Sequence, residues 1–130
     1  METRVPCVVA FLLQALPPQG NKRVQVFDNN GAFKTSIGNV GNAQALCLTK
    51  SATPVIYVSN SNPPEDFDNG GEIYKLKLDG TVLGRFGKVG KRAKEFGTVN
   101  SLDCRTENAL LVGELANMRV QRLTLLPSHP

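Results

Sequence analysis

A chain of 130 residues, 41% hydrophobic and 20% charged, has the length and balance of one globular domain, which excludes an intrinsically disordered chain. Its formal net charge of +4 is unevenly distributed, because residues 61–72 carry only acidic charges whereas residues 82–100 carry five basic residues and one acidic one. Twelve glycines and eight prolines are typical of many short strands joined by tight turns. The composition therefore predicts an all-β protein.

The first predicted element lies in the apolar run of residues 5–16, VPCVVAFLLQAL. This run is shorter than the roughly 20 residues of a membrane helix, and Glu2 and the two prolines after the run are atypical of a signal peptide. The β-branched pair Val8 and Val9 instead predicts a buried strand. Residues 1–20 do not match the repeat described next, so we interpret them as a separate N-terminal strand segment and expect no membrane association.

A unit of two strands and a turn recurs along the chain. Residues 21–38, NKRVQVFDNNGAFKTSIG, align without a gap on residues 70–87, GGEIYKLKLDGTVLGRFG, at an offset of 49, and a third copy opens at residues 117–125. Gly31 and Gly80 suit tight hairpin turns because glycine tolerates a positive φ. The shared apolar positions predict a core built from Val24, Phe27, Ile73, Leu76, Val120 and Leu123.

Segments between these copies also match one another. One complete repeat is thus predicted to contain four strands, at 44–49, 55–60, 72–78 and 81–86. Four antiparallel strands per repeat of 40 to 50 residues are typical of a propeller blade. Ten strands are expected in all, so residues 21–125 hold one complete blade between two incomplete ones, followed by a tail at 126–130.

The chain resembles NHL repeats, the blades of a six-bladed β-propeller, in the segments NKRVQVFDNNGAF, PVIYVSN, RFGKVGKRAKEFG and LLVGELANMRVQRLTL. The resemblance covers residues 21–125 and implies a module that binds a protein or peptide. Ser59 and Glu114 depart from the pattern, since the family often has Asp near these positions. An enzymatic branch of the family, a lyase that cleaves peptidyl-hydroxyglycine, holds zinc with several histidines, whereas His129 is the only histidine here.

The predicted blades do not close a ring, because a closed propeller needs about four to eight of them. Open β edges also invite pairing with other chains. We therefore predict that the incomplete propeller is completed or capped by oligomerisation, most simply as a cyclic homodimer. Alternatively, the chain is a piece of a longer propeller with a replaced front end.

The acidic segment offers a candidate metal site. Clustered carboxylates are the oxygen ligands that calcium prefers, and they are supplied here by Glu65, Asp66 and Asp68. Their spacing is not that of an EF-hand loop. A solvated loop whose charges limit edge pairing explains the segment more simply, so no cofactor is expected.

The basic run GKVGKRAKEFG lies between two blades and offers a candidate binding surface, formed by Lys88, Lys91, Arg92 and Lys94. Such a charge suits RNA phosphates. Single-stranded RNA also needs stacking aromatics, and the only ones nearby, Phe86 and Phe96, are expected to pack between blades. A solvated linker is the simpler interpretation.

The predicted function is therefore a non-catalytic binding and self-assembly module. The alternatives are the remnant of a metal-dependent lyase or hydrolase and an RNA-binding protein. The three cysteines lack CxxC spacing and cannot all pair within one chain, so no disulfide framework is expected and buried free thiols are predicted. The sequence does not name the compartment, and a soluble, cytoplasmic protein is favoured.

Overall fold

A computed structural model of the protein describes residues 9–13, 23–28, 30–61, 70–106 and 108–125. These residues form twelve strands and no helix, which confirms the all-β prediction. The strands are β1 (Val9–Leu13), β2 (Arg23–Phe27), β3 (Phe33–Ile37), β4 (Ala43–Leu48), β5 (Val55–Ser61), β6 (Gly70–Lys77), β7 (Val82–Phe86), β8 (Lys88–Val89), β9 (Glu95–Phe96), β10 (Val99–Asp103), β11 (Ala109–Glu114) and β12 (Arg119–Thr124). No helix in this part of the chain is long and apolar enough to cross a membrane.

The strands form three antiparallel sheets and one short parallel pair. The first sheet has the order β1-β2-β3, the second β4-β5-β6-β7 and the third β10-β11-β12, while β8 pairs with β9. The four predicted strands of the complete repeat are confirmed as the second sheet. The predicted count of ten strands missed β8 and β9, since two-residue strands carry no alternating pattern that a sequence could reveal.

The two hairpins that align in sequence also share their strand register. Val24 pairs with Ile37 in the first sheet, and Ile73 pairs with Phe86 in the second, 49 positions further along the chain. In both hairpins the strand register shifts at the same place, between Val26 and Phe27 in the first and between Lys75 and Leu76 in the second. The sequence offset therefore corresponds to a repeated three-dimensional unit.

The turns of these hairpins coincide as well. The backbone N–H of Asp28 donates to the carbonyl of Ala32, and the N–H of Lys77 donates to the carbonyl of Thr81, each at 2.9 Å. The glycine of each turn has a positive φ, of 82° in the first and 95° in the second, a region that residues with a Cβ seldom adopt. Each turn thus depends on the glycine that the sequence repeats.

The second sheet packs against both other sheets through its two faces. Ile56 and Val58 on β5 face the first sheet, whereas Tyr57, which lies between them, faces the third, because successive side chains of a strand point to opposite faces. The first interface buries Val24, Val26, Ile37, Val40, Ala43, Ile56, Val58 and Leu76. The second interface buries Ala45, Tyr57, Ile73, Phe96, Val99, Cys104, Leu110 and Val112.

The predicted core is correct only where a neighbouring sheet covers it. Val24, Ile73 and Leu76 are fully buried, as predicted. Phe27 and Leu123 are only half-buried, and Val120 is 69% exposed, so its predicted burial is wrong. The reason is positional: Val120 repeats Ile73, which packs against the next sheet, and in the described part of the chain no sheet follows the third.

A disulfide links the second and third sheets, between Cys47 on β4 and Cys104 directly after β10. Their Cα atoms lie 6.0 Å apart although the residues are 57 positions apart in sequence. The prediction of free thiols is therefore wrong for these two residues. An odd number of cysteines excludes only complete pairing, and the stacking of sheets that brings this pair together leaves no local signal in the sequence. Cys7 lies outside the described residues.

Candidate functional site

The structure brings the four basic residues of the predicted binding surface into one exposed segment. Lys88 begins β8, and the other three lie in the loop that leads to β9. The Lys88 Nζ lies 3.6 Å from the Glu95 Oε2, and its side chain remains largely exposed. An exposed ion pair of this kind contributes little to stability. The segment, which we call the basic loop (residues 88–95), thus presents its charges to solvent.

The backbone of the basic loop is held by the third sheet. The guanidinium of Arg119 donates to the carbonyl oxygens of Lys91 at 2.7 Å, Arg92 at 2.9 Å and Glu95 at 2.9 Å. Gln121 donates from Nε2 to the same Glu95 carbonyl at 2.8 Å. Since Arg119 and Gln121 are alternate residues of β12, they lie on one face of that strand. The sheet therefore fixes the path of the loop.

Glu114, at the end of β11, holds these two anchoring side chains in place. Its Oε2 accepts from Arg119 Nε at 2.7 Å and from Gln121 Nε2 at 2.9 Å. Its Oε1 accepts from Asn117 Nδ2 at 2.7 Å and from the N–H of Gly97 at 3.1 Å. The side chain is completely buried. Four donors thus satisfy one buried carboxylate.

In the sequence, Glu114 stood out only as a departure from a family pattern. A usable signal was present, because an isolated acidic residue ends an otherwise apolar strand and is followed by Asn117, Arg119 and Gln121 at alternate positions. Such a spacing places Arg119 and Gln121 on the face of the returning strand that meets the carboxylate, while Asn117 donates from the turn before it. The network is structural in character, since all of its partners belong to the chain itself.

The pKa of Glu114 reflects two opposing effects. Burial raises it, but the hydrogen bonds from Arg119, Asn117, Gln121 and the Gly97 N–H together outweigh burial, so the pKa of Glu114 lies below its ordinary value. The charged carboxylate is therefore favoured by the folded state.

This lowered pKa predicts a pH dependence of folding. The stability that the Glu114 charge contributes is fully present above the unfolded-state pKa of about 4.3 and is lost as the pH falls through the lower folded-state pKa. We expect the difference in urea midpoint between the wild type and Glu114→Gln, which cannot titrate, to shrink as the pH is lowered from 7 towards 3. A difference that stays constant over this range would contradict the assignment.

A cleft of about 700 Å³ opens between the edge of the second sheet and the edge of the third. Its walls are residues 83–87, along β7, and residues 122–125, along β12, and it is completed by Tyr57, Lys75 and Lys94. We call it the inter-sheet cleft. Four of its lining residues are basic and none is acidic. Its volume falls within the range of about 300–1,000 Å³ that is usual for ligand sites.

Strand pairing shows which of these charges face the interior of the cleft. Lys75 pairs with Tyr57, whose ring belongs to the core between the second and third sheets, so the lysine lies on the face that looks towards the third sheet. Arg85 and Arg122 occupy the opposite faces of their strands. Lys75 therefore lies at the interior of the cleft, while the two arginines flank it.

The two outermost sheet faces carry exposed apolar residues. On the third sheet, Leu111 and Val120 are exposed on the face that points away from the second sheet, and Leu115 and Met118 are exposed in the turn between β11 and β12. We call these four residues the third-sheet outer face. On the first sheet, Phe33 is 57% exposed and its ring lies 5.8 Å from that of Phe27 in an edge-on arrangement.

The predicted calcium ligands Glu65, Asp66 and Asp68, and His129 in the tail, lie outside the described residues, so these hypotheses stay predictions. Within the ranges that the structure describes, no group of three His, Cys, Asp or Glu side chains could hold a metal ion.

In comparisons with known proteins, no protein-family model matches the chain. No curated protein matches it either. The resemblance to NHL repeats accordingly stays a prediction that rests on the quoted segments.

Proposed function

We propose that the chain is a non-catalytic, propeller-type repeat module of the NHL kind, which assembles with a second copy of itself and binds a protein or peptide. One observation carries this proposal: at each end of the stack of sheets, an apolar residue is more exposed than its fully buried repeat equivalent.

At the third sheet this residue is Val120. Its repeat equivalent, Ile73, is fully buried because the second sheet is followed by the third, whereas Val120 is 69% exposed. At the first sheet the residue is Phe27, which is half-buried. Its equivalent, Leu76, is fully buried because the second sheet is preceded by the first. Within the chain, two interfaces between neighbouring sheets are built from one face of each of these two kinds. The two outer faces are thus the two halves of a further interface of the same kind.

The occupant that best fits the third-sheet outer face is therefore the first sheet of another copy. A contact between two different faces of the same chain is heterologous, and such contacts close into a ring when the rotation allows it. Two copies with three sheets each would supply six sheets, the blade number of the family that the sequence resembles. Burial of apolar surface drives this association.

The assembly proposal predicts that a single charge introduced into the third-sheet outer face prevents dimer formation. We expect the wild type to have twice the monomer mass in light scattering on a size-exclusion column, and Val120→Asp to be monomeric, because an unpaired carboxylate resists burial in an apolar contact. Val82→Asp is the matched control, since Val82 is an exposed valine of the second sheet, away from both outer faces. A wild type that is monomeric at all concentrations, or a Val120→Asp variant that keeps its full mass, would rule out this interface.

The disulfide indicates the kind of cellular compartment in which the protein is found. Disulfides persist in oxidising environments such as the cell exterior and are rare in the cytoplasm. The Cys47–Cys104 pair therefore favours an oxidising compartment over the cytoplasm. The single histidine of the sequence supports a binding role over the zinc-dependent lyase.

A further inference from the structure

Among the described strands, one edge of the third sheet lacks a neighbour that its repeat equivalents have. In the first and second sheets, β2 and β6 each lie between two strands, with β3 and β7 on the second side. Their equivalent, β12, pairs only with β11 among the described strands. An edge strand presents a row of backbone N–H and C=O groups that can pair with another extended segment.

The inter-sheet cleft runs along this edge. Residues 122–125 of the β12 side form one wall and residues 83–87 of the β7 side form the other. Because β12 is the repeat equivalent of β6, a strand added beside β12 would occupy the position that β7 occupies beside β6. The cleft is therefore the space that a fourth strand of the third sheet would fill.

We propose that the inter-sheet cleft binds an extended acidic peptide, which adds to β12 as an antiparallel fourth strand. Antiparallel addition follows from the repeat, since β3 and β7 are both antiparallel to their partners. Main-chain hydrogen bonds would supply affinity, and side-chain contacts on alternate residues would supply specificity, as in other cases of strand addition.

The lining of the cleft defines the chemistry of the peptide. Four basic residues and no acidic one line the cleft, so it complements a negatively charged ligand. A peptide residue opposite Leu123 faces the interior of the cleft, where Lys75 lies among apolar neighbours such as Tyr57 and Phe86. A residue opposite Arg122 lies on the other face beside a guanidinium. The structure thus assigns to the peptide an alternation of apolar and acidic residues.

Residues 126–130, LPSHP, are poorly suited to this position. Pro127 and Pro130 have no N–H to donate to a ladder, and the segment carries no acidic side chain.

This inference does not depend on self-assembly, because the added strand pairs with the backbone edge of β12, whereas the assembly covers side chains of the third-sheet outer face. Arg122 lies on that outer face beside Leu111 and Val120, so the charge variant that tests the cleft is made at Lys75 instead. The monomeric Val120→Asp variant should therefore still bind the peptide. Loss of binding in a folded Val120→Asp variant would mean that the two surfaces are not separate, and would overturn the inference as stated.

The test uses a capped eight-residue peptide of alternating Glu and Ile, with binding to the full chain followed by fluorescence anisotropy at low and high salt. We expect saturable binding that weakens as salt rises, because the charges are partly exposed. The control peptide, of alternating Lys and Ile, should not bind. Equal binding of both peptides would overturn the charge argument, and binding of neither would overturn the site.

Two variants of the protein locate the site. Lys75→Glu should weaken binding about tenfold, because it replaces an attractive charge inside the cleft by a repulsive one. Lys77→Glu is the matched control: Lys77 is exposed on β6 but does not line the cleft, so binding should be unchanged. Equal effects of the two substitutions would show that only net charge matters and would overturn the site.

Backbone pairing has its own readout. Strand addition should slow hydrogen exchange of β12 amides that do not pair with β11, and a Glu–Ile peptide with a central Pro should bind poorly. Protection elsewhere in the chain would overturn the proposal. Displacement of the peptide by a uridine octamer would also overturn the proposal, because it would assign the cleft to nucleic acid. Dissociation of the dimer by the peptide would overturn it as well, because it would assign the edge of β12 to a second copy of the chain.

Discussion

Replacing Glu114 with Ala is expected to destabilise the fold by about 3 kcal/mol, the lower end of the usual cost of breaking a buried ion pair, because Glu114 is fully buried whereas Arg119 is 31% exposed. The substitution leaves the Arg119 guanidinium without its carboxylate at 2.7 Å and the N–H of Gly97 without its acceptor, while the Asn117 amide keeps only its bond to the Gly90 carbonyl. Whole domains are stable by only about 5–15 kcal/mol. The urea midpoint of the variant should therefore fall sharply.

The chain supplies a matched control for this prediction in the ion pair of Asp103 and Arg105. Its N···O distance is also 2.7 Å, but the carboxylate side chain is 30% exposed and that of the arginine 80%. Water replaces a lost partner there, so Asp103→Ala should change the midpoint little. Equal effects of Glu114→Ala and Asp103→Ala would contradict the role of burial.

A second readout separates the network from general destabilisation. Arg119 links Glu114 to the carbonyls of the basic loop. In Glu114→Ala, under conditions where the variant remains folded, amides of residues 91–95 should exchange faster than those of the distant first sheet. A uniform increase in exchange would mean that Glu114 does not position this loop.

Breaking the disulfide is expected to cost about as much. Its 57-residue separation gives about 4 kcal/mol from the entropy of loop closure in the unfolded chain. With a typical urea dependence of about 2 kcal/mol per molar, reductant should lower the wild-type midpoint by roughly 2 M. Chemical denaturation with and without reductant measures the effect directly.

The control for this experiment is the double variant Cys47→Ser with Cys104→Ser, which should respond to reductant far less than the wild type does. Its midpoint without reductant should already lie near that of the reduced wild type. A wild-type midpoint that is insensitive to reductant, or three free thiols found by mass spectrometry of the alkylated protein, would show that this bond does not form in solution.

The sequence alone determined the strands and the register of the repeated hairpins. Residues 21–38 and 70–87 share alternating side chains and a turn glycine, and these local features decide which residues pair across a two-stranded turn. The offset of 49 between Val24 and Ile73 is therefore visible in the amino-acid sequence itself and reappears in the pairing of both residues.

Only the tertiary structure decided which faces of those strands are covered and which distant residues meet. Ile73 and Val120 occupy equivalent positions, yet one is fully buried and the other 69% exposed, because burial depends on the presence of a neighbouring sheet and not on the strand itself. Cys47 and Cys104, and the two walls of the inter-sheet cleft, come together through the stacking of separate sheets. Local patterns specify pairing within a hairpin, whereas contacts between sheets depend on the packing of segments far apart in the chain, which no short stretch of sequence encodes.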